Sequence, residues 1–225
     1  MKYKAVLFDV DDTLLDSMAA RVDTLERVFA SAGIANHDPE QFLRDLHGNS
    51  LESKLAQVAV DRGIDADLFL DYRRKYWTGE IGRLKLYPGV REALEKLGGL
   101  GLKLGIVTTK AVSIEFEGNI IGAAGELKEM GISELFSVMV GDEHVSLNTP
   151  HPEGINLALS RLEMAPGEAL MVGDSAADMA AARAAGCLGC HATWGLPVKE
   201  SRNLLTLISP DFILDSPAEL LKLIK

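Results

Sequence analysis

Short apolar runs alternate along the chain with segments whose apolar residues recur at helical spacing. The apolar runs predict six strands: Tyr3–Asp9, Leu102–Thr108, Phe136–Val140, Ala169–Val172, Cys187–Thr193 and Asp211–Leu214. Apolar residues three or four positions apart predict helices between them, at Val90-Leu94-Leu97, Ile120-Ile121-Ala124-Leu127, Ile155-Leu159-Leu162 and Met179-Ala182-Arg183. Strands that alternate with helices indicate a parallel sheet with helices on both faces. The pattern therefore predicts an α/β, doubly wound, Rossmann-like core.

The stretch after the first predicted strand breaks this alternation. Its apolar residues, among them Leu25, Val28 and Phe29, have helical spacing, and the stretch contains no convincing strand. It is too long for a simple crossover and too regularly patterned for a disordered linker. We therefore predict an α-helical cap subdomain over residues 17–84, inserted into a core domain formed by residues 1–16 and 85–225.

Composition narrows the classes of partner. The 225 residues include 23 Lys and Arg against 33 Asp and Glu, a net charge of −10. This balance disfavours binding to nucleic acid or to anionic membranes, because both depend on excess positive charge. No apolar run approaches the roughly 20 residues that a membrane helix needs, and no signal peptide is visible. We expect a cytoplasmic monomer or homodimer that acts on a small molecule.

The two cysteines lie in CLGCH, Cys187–His191, which matches the pattern of c-type haem attachment and the Cys-x-x-Cys of zinc and redox sites. No second cysteine pair completes a zinc site. In a strand, moreover, residues three positions apart face opposite sides. We therefore predict two buried thiols that bind no cofactor.

Polar side chains follow three of the predicted strands at their carboxyl ends, where open parallel sheets bind their ligands. They are Asp9, Asp11 and Asp12; then Thr108, Thr109 and Lys110; and finally Asp174, Ser175 and Asp178. Carboxylates that converge from separate strands repel one another unless a cation lies between them. Oxygen ligands without His or Cys favour Mg²⁺. The sequence therefore predicts a magnesium site at this edge of the sheet.

These residues resemble three motifs of the haloacid dehalogenase-like hydrolases: Asp9-Val10-Asp11-Asp12-Thr13-Leu14, Thr108, and Gly173-Asp174-Ser175-x-x-Asp178. The resemblance extends over essentially the whole chain. The helical insert lies where the phosphoglycolate phosphatase and β-phosphoglucomutase branch of the family carries its cap. The resemblance implies a Mg²⁺-dependent phosphatase that hydrolyses a small phosphorylated metabolite through an aspartyl-phosphate intermediate.

The resemblance also implies a role for each acidic residue. Asp9 would be the nucleophile that attacks phosphorus. Asp11 would be the general acid and base. Mg²⁺ would bind the Asp9 carboxylate, the Asp11 backbone carbonyl and the Asp174 carboxylate, while Asp178 would orient ligands or water.

Contacts to the substrate are implied in the same way. Thr108 and the backbone amide of Thr109 would hydrogen-bond the phosphoryl oxygens, with Lys110 beside them. The cap would close over the substrate and exclude water. Its polar loop His47-Gly48-Asn49 is the predicted substrate-facing segment.

One departure from the family pattern concerns a catalytic charge. Thr149 occupies the position, immediately before Pro150, at which the family has lysine. Losing one such electrostatic partner typically costs on the order of 10²–10³ in rate. Either Lys110 reaches inward and replaces the missing lysine, or Lys110 is solvated, as most lysines are. In the second case, Thr149→Lys is expected to raise the rate.

Two other functions stay open beside the phosphatase. A phosphomutase of the β-phosphoglucomutase type would use the same aspartyl-phosphate. A phosphate-binding protein with weak or no catalysis would fit the loss of lysine at Thr149. The segment Ala111–Gly118, which follows Lys110, is predicted as a solvated surface loop.

Overall fold

The computed structural model describes residues 2–46, 50–79, 81–195 and 209–224. The chain divides into two compact units, one formed by Met1–Asp16 with Lys85–Lys225 and the other by Ser17–Leu84. The second unit is therefore an insertion into the first. Within the described ranges, no helix combines the length and the apolar character needed to cross a bilayer.

The larger unit is built on a parallel sheet. In the part of the unit that the structure describes, the strands in chain order are β1 (Ala5–Phe8), β2 (Leu15–Asp16), β3 (Lys85–Leu86), β4 (Lys103–Val107), β5 (Ile114–Phe116), β6 (Asn119–Ile121), β7 (Val138–Val140), β8 (Ala169–Gly173), β9 (Leu188–Ala192) and β10 (Phe212–Leu214). Within the described residues, six of them form one sheet in the order β10-β9-β8-β1-β4-β7, and all its pairings are parallel. The strand order reverses at β1, which is where doubly wound sheets place their ligands.

Helices cover the sheet and build the inserted unit. Within the described ranges they are α1 (Met18–Ser31), α2 (Pro39–Arg44), α3 (Leu51–Arg62), α4 (Leu68–Gly79), α5 (Val90–Gly99), α6 (Ala123–Glu129), α7 (Glu153–Leu162), α8 (Ala176–Ala185) and α9 (Leu220–Leu223). Helices α7 and α8 pack with Ala5 and Leu7 of β1 in one buried cluster. Because successive side chains alternate across a strand, Val6 and Phe8 point to the opposite face, and both are fully or almost fully buried.

The inserted unit contains α1 to α4. Helix α1 packs against α2 and α4, and α3 packs against α4. Leu25, Val28 and Phe29 of α1 are buried, so the apolar stripe that predicts this helix is its packed face. Ser50 caps α3 by accepting a hydrogen bond of 3.1 Å from the amide of Ser53.

One predicted helix start is wrong. Ile120 and Ile121 belong to β6, which forms an antiparallel hairpin with β5, and α6 begins only at Ala123. The hairpin turn is Glu117-Gly118, where both residues have positive φ, 49° and 79°, as a type I′ turn requires. The prediction of a surface loop over Ala111–Gly118 is wrong for Ile114–Phe116, because these residues form β5.

The structure buries both cysteines. Cys187 and Cys190 are unpaired thiols, and burial raises the pKa of Cys187 to about 11 and that of Cys190 to about 12. Thiols with such pKa values stay protonated near neutral pH and are poor nucleophiles and metal ligands.

Candidate active site

Three carboxylates converge at the carboxyl edge of the sheet. Asp9 follows β1 and Asp174 follows β8, and these strands pair in register, with Phe8 opposite Val172. The backbone amide of Asp9 continues the pairing with a hydrogen bond of 2.9 Å to the carbonyl of Val172. One carboxylate oxygen from each of Asp9, Asp174 and Asp178 lies within 4.8 Å of the others. This cluster could hold a metal ion.

The start of α8 fixes Asp178. Ser175 caps the helix: its hydroxyl accepts a bond from the Asp178 amide, while Asp178 Oδ2 accepts bonds from the amide and hydroxyl of Ser175, at 3.1 Å and 2.6 Å. A Cβ at Gly173 would lie 2.5 Å from Cγ of Asp178. Only glycine at position 173 therefore leaves room for this carboxylate.

The electrostatics of the cluster favour a cation. Burial, followed by the negative charges of Asp178, Asp174 and Asp11, raises the pKa of Asp9. Burial, followed by the charges of Asp12 and Asp178, raises the pKa of Asp174. Burial also raises the pKa of Asp178, against the opposing effect of its hydrogen bonds to Ser175. A bound divalent cation would offset the repulsion that these shifts reflect.

The turn after β1 is held in place from two sides. The Thr13 hydroxyl donates a hydrogen bond of 3.1 Å to Asp174 Oδ1, and the indole of Trp194 donates one of 2.9 Å to the Thr13 carbonyl. Asp12 has a φ of 61°, a left-handed conformation that glycine, asparagine and aspartate tolerate best. A Cβ at Gly195 would clash with the Asp12 carbonyl, so Gly195 packs directly on this turn.

Lys110 points into the site. Its Nζ lies 3.0 Å from Asp11 Oδ1 and 2.8 Å from each carboxylate oxygen of Glu126. The lysine side chain is only 23% exposed. This geometry agrees with the interpretation in which Lys110 reaches inward, and it disagrees with a solvated lysine.

The remaining predicted residues have varied positions. Thr108 is buried, and its Oγ1 accepts a bond of 3.3 Å from the amide of Lys110. Thr109 is exposed, and Thr149 is buried in the loop before α7. The predicted cap loop His47-Gly48-Asn49 lies outside the described residues.

Comparison with known proteins identifies the family. The sequence model described as haloacid dehalogenase-like hydrolase matches residues 6–191. The chain belongs to the haloacid dehalogenase-like hydrolases. A curated relative of this hydrolase, phosphoglycolate phosphatase of Salmonella choleraesuis (strain SC-B67), is 32% identical in an alignment 241 residues long that covers 97% of this chain and 91% of the relative.

Solved structures agree with this assignment. A haloacid dehalogenase-like family hydrolase from Streptococcus pneumoniae superposes with a TM-score of 0.80 and 28% identity, over 100% of this chain and 99% of the other. The β-phosphoglucomutase of Clostridium difficile has a TM-score of 0.76 at 18% identity, over 97% and 93% of the two chains, and it shows the fold alone. The predicted family, the α/β fold class and the phosphatase class of enzyme are confirmed.

Sequence reasoning missed Glu126 of this hydrolase's site and gave no role to Ser175. The Glu126 side chain is fully buried against Lys110, and no local signal separates it from the solvated glutamates that most helices carry. Ser175 was visible as a cap, since Ser175-x-x-Asp178 is a capping-box pattern. Its hydrogen bonds to the site carboxylate could have been predicted from that pattern.

Proposed function

We propose that this haloacid dehalogenase-like hydrolase is a Mg²⁺-dependent phosphatase that forms an aspartyl-phosphate on Asp9. The observation that carries the proposal is the approach of Asp9, Asp174 and Asp178 to within 4.8 Å at the carboxyl edge of the sheet. The donor set consists of carboxylate oxygens, which suits Mg²⁺ better than softer metals.

The metal site uses residues of the turn after β1 and of the end of β8. The carboxylates of Asp9 and Asp174, together with the backbone carbonyl of Asp11, would hold Mg²⁺, and Asp178 would orient the ligands. When bound, the ion supplies positive charge that reduces the repulsion between a phosphate dianion and the anionic nucleophile.

The reaction has two steps. A carboxylate oxygen of Asp9 attacks phosphorus, the bond from phosphorus to the ester oxygen breaks, and Asp11 gives its proton to that leaving oxygen. Water then attacks the same phosphorus, Asp11 takes a proton from the water, and the bond from phosphorus to Asp9 breaks. Inorganic phosphate and an alcohol are the products, and both aspartates return to their initial state.

Lys110 supplies the cation that the family places at position 149. Its ammonium lies 3.0 Å from Asp11, where it stabilises the negative charge that Asp11 carries after giving up its proton. Thr108 and the backbone amide of Thr109 follow the neighbouring strand β4 and would donate hydrogen bonds to the phosphoryl oxygens.

The substrate is a small phosphate monoester. Several relatives with 30–34% identity carry the name phosphoglycolate phosphatase, so we propose a phosphorylated hydroxy acid, with phosphoglycolate as the first compound to test. Selection by the cap loop His47-Gly48-Asn49 stays a prediction, as does a cytoplasmic location.

A substrate panel tests the proposal. Release of inorganic phosphate from phosphoglycolate, other phosphorylated acids and sugar phosphates is measured with MgCl₂ and with excess chelator. We expect release from at least one ester with Mg²⁺, none with chelator, and none from Asp9→Asn. Isomerised sugar phosphate without phosphate release would identify a phosphomutase instead. Phosphate binding without turnover of any ester would contradict both enzymes.

A further inference from the structure

The ammonium of Lys110 is shared between two carboxylates of different burial. Glu126 contacts it with both oxygens at 2.8 Å, and the Glu126 side chain is 0% exposed. Asp11 contacts it with one oxygen at 3.0 Å and is 18% exposed. A buried carboxylate is strongly destabilising unless a cation accompanies it. The burial of Glu126 therefore strongly favours the one position of the Lys110 ammonium in which it contacts this carboxylate.

The hairpin of β5 and β6 positions α6 so that Glu126 lies beside Lys110. The first two amides of α6, those of Ala123 and Ala124, donate hydrogen bonds of 2.9 Å and 3.0 Å to the carbonyls of Ala111 and Val112. A Cβ at Gly122 would clash with Val112, so the helix begins directly on the segment that follows Lys110. Side chains on a helix lean toward its N-terminus, which directs Glu126 back toward that segment.

The backbone beside Lys110 is also held by Glu143 and Gly141. The Glu143 carboxylate accepts hydrogen bonds of 2.9–3.0 Å from the amides of Val112 and Ser113. A Cβ at Gly141 would clash with the Lys110 carbonyl, so β7 ends in close contact with the lysine backbone. Both the main chain and the ammonium of Lys110 are thus held, whereas a lysine on its own has a flexible four-carbon stem.

We propose that Glu126 is a positioning residue that holds the Lys110 ammonium against Asp11, ready for the phosphoryl group. This inference rests on the proposed function. Glu126 contacts the Lys110 ammonium with both carboxylate oxygens, so it acts through Lys110. Fixing a catalytic charge before the reaction removes the cost of arranging it in the transition state.

Removing the Glu126 charge has two effects on the kinetics, and they have opposite signs, so positioning can be separated from simple electrostatics. Loss of the fixed orientation of the Lys110 ammonium lowers kcat. Loss of a negative charge near the site makes the local potential more positive, which favours an anionic ester. Glu126→Gln is therefore expected to lower kcat between about 10- and 100-fold without raising KM. A purely structural glutamate would leave both constants of the folded variant unchanged.

A double-mutant cycle tests the proposal. The variants are Glu126→Gln, Lys110→Ala and the double variant, with Glu129→Gln as the matched control, because Glu129 is exposed on the same helix. We expect Lys110→Ala to lower kcat by roughly 10²–10³ and the double variant to be no slower than Lys110→Ala. Multiplicative losses, or an unchanged kcat in Glu126→Gln, would overturn the proposal.

Thermal unfolding of the same four proteins supplies a second readout that needs no substrate. Lys110→Ala leaves the Glu126 carboxylate without this cation, so the unfolding midpoint of this variant should be lower than that of wild type. Adding Glu126→Gln to Lys110→Ala should raise the midpoint again. Additive midpoints would overturn the pairing. A wild-type chain that releases no phosphate contradicts the proposed function, and the midpoints then decide the pairing by themselves. If Glu126→Gln does not fold, Glu126→Asp keeps the charge but shortens the arm; it should fold and lose kcat, and full activity in it would overturn the proposal.

Discussion

The Thr13 hydroxyl donates a hydrogen bond of 3.1 Å to Asp174 Oδ1, across 161 residues of sequence. This bond joins the turn after β1 to the end of β8. It also lowers the pKa of Asp174 against the larger effects of burial and of the neighbouring carboxylates. Thr13 therefore helps to keep a proposed metal ligand in its charged form.

Replacing this hydroxyl should weaken metal binding more than catalysis. Thr13→Val keeps the side-chain shape but removes the donor, and loss of such a partner typically costs roughly 10- to 100-fold in metal affinity. Titration of phosphatase activity with MgCl₂ measures the effect. We expect half-maximal activity at a higher Mg²⁺ concentration, with most of kcat recovered at saturation. Thr13→Ser is the control, and a Thr13→Val curve that overlays it would contradict the prediction.

Stabilisation by Mg²⁺ should depend on pH. Because the pKa values of Asp9, Asp174 and Asp178 are raised on folding, their contribution to stability is present at low pH and is lost as pH rises through the folded values. The ionised carboxylates then repel one another, and a divalent cation offsets that repulsion.

We therefore expect saturating MgCl₂ to raise the midpoint of thermal unfolding more at about pH 8 than at about pH 5.5, since protons compete with the ion. Asp174→Asn serves as the control and should lose most of the shift. An equal shift at both pH values would refute this dependence.

Restoring lysine at position 149 should bring little gain in the native background. The Lys110 ammonium is already beside Asp11, so a second cation would be redundant or repelled. Thr149→Lys is expected to leave kcat within about twofold of wild type, but to raise it in the Lys110→Ala background, where one electrostatic partner is missing. Steady-state kinetics of both variants on one ester decide the matter. A large gain in the native background would mean that Lys110 does not supply this charge.

His191 should make the folded state sensitive to mild acid. Its side chain is fully buried on β9, neither ring nitrogen has a hydrogen-bond partner among the described residues, and burial lowers its pKa below 6.5. Below about pH 6.5 the unfolded chain binds a proton that the folded chain does not. The free energy of unfolding should therefore decrease as the pH is lowered, by up to about 1.4 kcal/mol per pH unit from this group.

Urea unfolding between about pH 7.5 and pH 5.5 measures this slope. His191→Leu should reduce it, whereas His151→Gln, at an exposed histidine, should not. The active-site carboxylates contribute with the opposite sign, but they are identical in all three proteins and cancel in the comparison. Parallel slopes for wild type and His191→Leu would show that His191 does not carry the effect.

Local pattern predicted most of the fold because each core strand is a short apolar run bounded by polar residues. It failed at Ile120 and Ile121, whose spacing to Leu127 fits a helix although the two residues lie in β6. Alternation from Ile114 onward and the Glu117-Gly118 turn were the competing signals. The convergence of strand-end carboxylates could be predicted because parallel strands share one edge. The Lys110–Glu126 pair could not, since it depends on where the hairpin places α6.

The central claim is that the phosphoryl group passes through Asp9, and trapping of the phosphorylated enzyme tests it most directly. Asp11→Asn is mixed with phosphorus-32-labelled 4-nitrophenyl phosphate and Mg²⁺, then quenched in acid. This ester has a leaving group that needs no proton, so the first step should proceed while the loss of the base slows hydrolysis.

We predict that label becomes bound to the protein, that hydroxylamine releases it, and that it maps to the peptide containing Asp9. The variant that carries both Asp9→Asn and Asp11→Asn should bind no label. Release of phosphate with no labelled protein, or label on another residue, would contradict the central claim.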